Sequence, residues 1–265
     1  MSSLTAYVEG VGLLGPGLSD WSAASAVLTG DSSYGSRPTV LPTPDSLPPA
    51  ERRRTGRVVK LALAVGLEAT SRAAVHPSHL PTVFASSGGD GQICHEICQA
   101  LASSDRQLSP TRFHNSVHNV AAGYWSIANG ARAPSNSLCA FDASFAVGLL
   151  EALSQVVVDR AACLLIAHDS QYPEPLFRKR PIPDAFGVAL LLSPESRPGS
   201  LARITASLTD SPSDQLAQPL EALRLAIPAA RSLPLLRTLA QRKAQRVVLD
   251  YLDGLQVAVE SAPCR

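Results

Sequence analysis

The chain reads as an α/β protein with a mostly parallel central sheet and helices on both faces, and three observations predict this. Short apolar runs with strand composition, Thr82–Ser86 and Cys163–Ala167 among them, alternate with longer segments of helical period. Glycine- and proline-rich connections separate the two kinds of segment. The 265 residues are 45% hydrophobic and 17% charged, enough for one sizeable, well-filled core.

Composition also removes function classes. A net charge of +1 gives no global signal for nucleic acid or a membrane surface. Five cysteines at irregular spacing argue for a reducing compartment rather than a disulfide framework. The segment Met1–Gly17 lacks a basic leader, and Glu9 and several glycines break its apolar run, so it is not read as a signal peptide. No stretch approaches the roughly 18 apolar residues of a membrane helix, and the expectation is a cytoplasmic protein without a membrane span.

In chain order, Thr5–Gly12 predicts a first strand ending in a glycine turn. A short helix follows from Asp20, with Ser19 or Asp20 as N-cap. Residues 30–50, with five prolines, predict a surface loop. Glu51–Arg54 leads into a long helix over about Thr55–Val75, buried on most faces. Thr82–Ser86 predicts a buried strand, Ser87–Gly91 a turn, and Gln92–Ser103 a helix.

The stretch Ser109–Gly148 reads as polar loop, helix, short strand (Ser135–Cys139), sharp turn and apolar helix. Cys163–Ala167 predicts a strand buried on both faces. Phe186–Leu192 and Leu201–Leu208 read as neighbouring strands, and Asp253-Gly254 as the turn of a closing hairpin after an Arg-rich helical section.

Four pieces carry a resemblance to a known family: Tyr7–Gly12, Glu51–Ala69, the run Leu108-Ser109-Pro110 … Asn119-Val120-Ala121-Ala122-Gly123 … Ser126-Ile127, and Ala146-Val147-Gly148 with Asp184–Leu192. Over about residues 5–208 the chain resembles the N-terminal half of a β-ketoacyl synthase of the thiolase-like fold. The implied organisation is a single domain over 1–265, its thiolase-like half fold followed by the helical section and hairpin at about 216–260. Sliding the family's Thr-Ala-Cys-x-x-Gly corner along the chain, anchored on Ser137 and Ala146-Val147-Gly148, places the nucleophile on Ala140. The family's second half and its catalytic histidines have no counterpart; the last histidine is His168.

That combination, with Phe113–Asn119 and Ala122–Ile127, resembles the short β-ketoacyl synthase-like N-terminal family of chain-length-factor-type partners in aryl polyene and xanthomonadin-like pigment clusters. The resemblance implies no catalytic residue and no cofactor. It implies heterodimerisation with a complete ketosynthase through the Ser135–Cys139 strand, paired antiparallel with the partner's equivalent. One basic cluster is available to receive an acidic acyl carrier protein. His114, Asn115, His118, Asn119, Ser137, Cys139, Phe141 and Asp142 are the expected interface and acyl-tunnel residues, Phe141 being the aromatic that closes the channel at a set depth.

The same residues are compatible with other chemistry. His114 and His118, four apart, would share one helix face and are compatible with a metal pair or a base, but no HExxH pattern or third ligand accompanies them, and a polar interface cluster is preferred. Cys139, one residue before Ala140, should point to the opposite side, as a small buried hydrophobe; as a nucleophile with His114 or His118 it would make an acyl-thioester transferase or hydrolase. Asp142 reads as the cap of the following helix. Cys94-His95-x-x-Cys98 lacks a second ligand pair, so no metal site is assigned and both cysteines are expected to face the core. The clusters Arg52–Arg54 with Arg57, Arg178–Arg180 and Arg224–Arg246 read mainly as solvated surface.

Overall fold

Strand β1 (Leu4–Leu14) alternates in and out of two apolar layers, and both layers bury it. The computed structural model describes residues 3–264. Around β1 lie β2 (Thr82–Ala85), β3 (Ser135–Leu138), β4 (Cys163–Asp169), β5 (Phe186–Ser193), β6 (Ala202–Thr209), β7 (Gln245–Leu252) and β8 (Leu255–Pro263). They form one eight-stranded sheet in the order β3-β2-β4-β5-β1-β6-β8-β7. Among the described residues ten α-helices accompany them: α1 (Trp21–Thr29), α2 (Pro49–Arg52), α3 (Arg57–Arg72), α4 (Gly91–Ala102), α5 (Pro110–Asn115), α6 (Val120–Asn129), α7 (Ser144–Asp159), α8 (Leu176–Lys179), α9 (Leu220–Ala226) and α10 (Leu233–Gln241).

The sheet is mixed, which corrects the expectation of a mostly parallel one. Only β3, β2 and β4 run parallel, because helical crossovers join them. The other pairings are antiparallel. Nor are β5 and β6 neighbours, since β1 lies between them and is antiparallel to both. A register shift at Glu9 makes this insertion work. The Glu9 carboxylate is buried and accepts from the hydroxyls of Ser193 (2.7 Å) and Ser200 (2.8 Å), pinning both ends of the β5–β6 connection.

Helices do cover both faces. Along β4, Leu164 and Ile166 point to a layer holding α3 and α6, with Tyr124 and Trp125 at its centre. Cys163, Leu165 and Ala167 point to the other layer, with Phe145, Leu149 and Leu153 of α7 and the α9–α10 section. The segment Phe141–Asp159, 19 residues with mean hydropathy 1.5, is long and apolar enough to cross a membrane, contrary to the sequence expectation. Half of it is buried in this layer, with Phe145, Leu149, Ala152, Leu153 and Val156 in the core.

The C-terminal section carries no second repeat. It extends the same sheet through β8 and β7, with Gly254 in the left-handed region (φ 73°) at the hairpin turn.

Helix α3 crosses β1 at backbone contact, which explains Gly10 and Gly12. A Cβ on Gly12 would stand 1.9 Å from the Val65 carbonyl oxygen, and one on Gly10 would stand 2.1 Å from that of Ala69. Neither backbone can yield without separating helix from sheet. Gly12→Ala is therefore expected to cost about 3 kcal/mol or more, read as a lower urea midpoint. Gly123→Ala, in α6 with nothing within 4 Å of its Cβ position, should be neutral or gain up to about 1 kcal/mol.

Candidate functional site

At the end of β3 the chain turns through Cys139 and Ala140 into a short 3₁₀ turn, Phe141–Ala143, and then α7. Ala140 is irregular (φ −144°, ψ 40°), but the left-handed residue is the next one, Phe141, at φ 52°. A bulky side chain in that region costs on the order of 1–3 kcal/mol unless its surroundings over-determine it. Ser144 does part of this: its hydroxyl accepts from Ala140 N (3.1 Å) and donates to the Phe141 carbonyl (2.8 Å). The corner thus offers the Ala140 methyl and the Phe141 ring, which is 62% exposed.

Asp142 is not a cap. Helix α7 has no side-chain N-cap, and the Asp142 carboxylate instead accepts from Arg180 (2.7 Å) and Arg231 (3.1 Å). Arg231 continues to Asp250 (3.0 Å), and Asp250 also pairs with Arg224, which holds Glu221 in a two-pronged bridge. Arg224 is buried and Arg180 and Arg231 mostly so, which corrects their assignment to solvated surface. Sequence reasoning missed Arg180 and Arg231 because the carboxylates they meet, Asp142 and Asp250, lie far away in the chain. The Glu221 and Arg224 spacing, one helical turn, was the available signal.

Cys139 is exposed, not buried, and its Sγ donates to the Ser87 carbonyl at 3.2 Å. His118 approaches the same β2–α4 turn but sets Nε2 3.2 Å from the Ser86 carbonyl. His114 ends α5 and stands edge-on to Tyr124, with ring centroids 6.4 Å apart. The two histidines therefore do not share a helix face; α5 stops at Asn115, and His118 lies in the turn before α6. Among the described residues no imidazole is hydrogen-bonded to Cys139, and no group of three or more His, Cys, Asp or Glu side chains is placed to hold a metal.

Asn115 is a buried strut: Nδ2 donates to the Arg54 carbonyl (2.7 Å) and Oδ1 accepts from Tyr124 (3.3 Å). Asn119 is exposed at the start of α6. Ser137 is half-buried on β3. Pro134 and Leu138 turn their carbonyls to β2, accepting from Thr82 N (3.0 Å) and Ser86 N (3.2 Å), so the backbone groups of Ser135 and Ser137 face the open sheet edge.

In the crossover between β2 and β3, α4 contains no buried residue. Cys94 and Cys98 are exposed rather than core-facing, because α4 lies outside both apolar layers. Asp90 caps the helix by accepting from Ile93 N (3.1 Å), so the Ser87–Gly91 segment is a turn, as expected. Between α4 and the segment Tyr172–Lys179 runs an open groove of about 950 Å³, largely apolar, with Arg178 and Lys179 along one side.

Two buried groups close β4, visible in the sequence only as two polar residues after an apolar run. Burial pushes His168 down to about 4, the neighbouring His118 adding to this, and pushes Asp169 up to about 6 against three hydrogen bonds from Ser87 N, Ser87 Oγ and Ala229 N.

The layers, mixed sheet and strand–corner–helix unit define an α/β protein of the thiolase-like ketosynthase class. Residues 21–249 match the family described as beta-ketoacyl synthase, N-terminal domain, and the chain belongs to that family. It is similar, at 26% identity and TM-score 0.73, over 97% of its length and 99% of the matched chain, to a structure described as a ketosynthase (ApeO) in complex with its chain length factor (ApeC) from Xenorhabdus doucetiae. The structure described as the ishigamide ketosynthase/chain length factor shares the fold at 13% identity and TM-score 0.72, over 99% of this chain and 100% of that one. So does AntDE:AntF, a type II polyketide acyl carrier protein with its ketosynthase, at 11% identity and TM-score 0.75, over 99% of this chain and 100% of that one. Comparison with curated proteins gives no match.

The two buried groups act on stability in opposite senses. Between about pH 6.5 and 4 the unfolded chain protonates at residue 168 while the folded chain does not, so His168 lowers stability as pH falls. Asp169 gains its proton in the folded chain near pH 6, before the unfolded chain does, and raises stability over nearly the same window. His168→Gln should unmask this: relative to the parent, its unfolding free energy should rise by about 2–3 kcal/mol between pH 7 and pH 4. Urea titrations at pH 7, 5.5 and 4.5 measure the difference.

Proposed function

We propose that this protein is a non-catalytic, chain-length-factor-type subunit that heterodimerises with an active ketosynthase and shapes its acyl tunnel. The pathway class is polyene, polyketide or fatty-acid-type biosynthesis, with aryl polyene or xanthomonadin-like pigments the products the sequence resembles, and the setting is the cytoplasm. The observation that supports the reading is the corner: the residue that the sequence resemblance aligns with the nucleophile, Ala140, has only a methyl group, and the Phe141 ring beside it is exposed. The nearby thiol, Cys139, is hydrogen-bonded to a backbone carbonyl, and both candidate bases make other contacts. A thioester-cleaving reading needs a sulfur–imidazole contact.

The outward backbone groups of Ser135 and Ser137 suit antiparallel pairing with a partner's strand. His114, His118, Asn119, Phe141 and Asp142 would then stand near the partner's pocket, with Asn115 supporting them from below. The groove beside α4 adds apolar surface for partner or acyl chain, and Arg178 and Lys179 suit an acidic acyl carrier protein.

Co-expression with a complete ketosynthase should give a stable one-to-one complex. Ser137→Pro, which removes an outward N–H but no bond to β2, should weaken that complex at least tenfold while leaving the circular dichroism of the chain unchanged. Cys139→Ser should leave product formation by the complex intact. Condensation or cleavage of an acyl thioester by the purified chain alone would sink the reading.

A further inference from the structure

Phe141 is held in a strained backbone conformation with its ring in the open, so something besides its own packing keeps it there. The guanidinium of Arg180 lies over the ring, 3.5 Å from its centroid. The same guanidinium donates to Asp142 Oδ1 at 2.7 Å, so one cation grips two consecutive residues of the corner. Arg180 belongs to the connection between β4 and β5, not to the corner. The second oxygen of Asp142 is taken by Arg231, which reaches Asp250 on β7. Arg180 thus meets the ring directly, and Arg231 and Asp250 are tied to the same corner through the Asp142 carboxylate.

The ring also has a particular place. On one side is a cavity of about 440 Å³, bounded by Arg180, Ile182, Leu225 and Pro228. On the other is a cavity of about 520 Å³, bounded by Arg231, Tyr251 and Leu252. Phe141 and Asp142 line both.

We propose that Arg180 is a positioning residue that clamps Phe141 in its left-handed, ring-out conformation. Resting on the reading under Proposed function, the clamp fixes the depth at which a growing acyl chain is stopped. A cation stacked on a ring and paired with the adjacent carboxylate restricts both the χ angles of Phe141 and the backbone of the corner. Arg231 and Asp250 brace the carboxylate from behind.

The test compares Arg180→Gln and Arg180→Lys in the full chain, with two readouts. Amide exchange at residues 140–144 should quicken roughly tenfold in Arg180→Gln, with β4 and β5 unchanged, and return most of the way in Arg180→Lys, which keeps the cation. In the complex with a ketosynthase, the Gln variant should shift products to longer chains and the Lys variant should move them back. Unchanged corner exchange in Arg180→Gln overturns the clamp whatever the products are. Faster exchange with unchanged product lengths keeps the clamp and overturns the tunnel reading of Phe141. Should Arg180→Gln fail to fold, Phe141→Leu, which removes the ring and leaves the ion pair, carries the same two expectations.

Discussion

One fully buried carboxylate, Asp169 at the end of β4, fixes how the pieces around the corner stand relative to one another. Oδ1 accepts from the backbone and hydroxyl of Ser87, and Oδ2 accepts from the backbone of Ala229. The first pair sets the β2–α4 turn, and the Ser87 carbonyl in that turn is what Cys139 leans on. The second ties the C-terminal section to the sheet. Burial without these donors would cost several kcal/mol; with them the group becomes a three-way joint. No apolar residue could replace it, because the Ser87 and Ala229 amides would be left buried and unpaired.

The chain of ion pairs from Arg180 to Glu221 does a different job. Buried ion pairs return little net stability, since desolvation offsets most of their attraction. What they supply here is geometry: Arg180, Arg231 and Arg224 bring carboxylates from the corner, from α9 and from β7 into one line. A hydrophobic filling of equal volume would leave the orientation of Asp142, and hence of Phe141, undetermined. The Arg-rich section is thus a brace for the corner as well as a cover for the sheet.

The long periodic segments were legible. The spans of α4, β4 and β5 follow from apolar patterning to within a residue or two, and that of α3 to within three, because burial on one or two faces dictates residue type locally. Strand direction was not legible: β1, β5 and β6 are continuous apolar or alternating runs whichever neighbour they take, and nothing local says that β1 slips between the other two. The strand–corner–helix order around Ala140 could be read, because each of its pieces is local in sequence. Its braces could not, since Asp142 meets Arg180 and Arg231 only through the fold. Cys94 and Cys98 were misplaced for the same reason, their helical spacing being equally good for a core face and for the groove that α4 borders.

The two edges of the sheet are not treated alike, and the difference bears on the proposed pairing with a partner strand. At one end β7 carries Arg246 and Asp250 and shifts register between Leu249 and Leu252, devices that discourage another strand from adding. At the other end β3 is Ser-Asn-Ser-Leu, without charge, proline or bulge, and its outward backbone groups have no partner strand among the described residues. The crossover that leads into it, α4 to α6, includes a helix with no buried residue and carries exposed Leu101, Phe113, Val117 and Ile127. A lone domain under selection against aggregation would blunt such an edge, as β7 is blunted. Leaving it open makes physical sense where a second sheet completes it, and the corner lies directly at the end of that open strand.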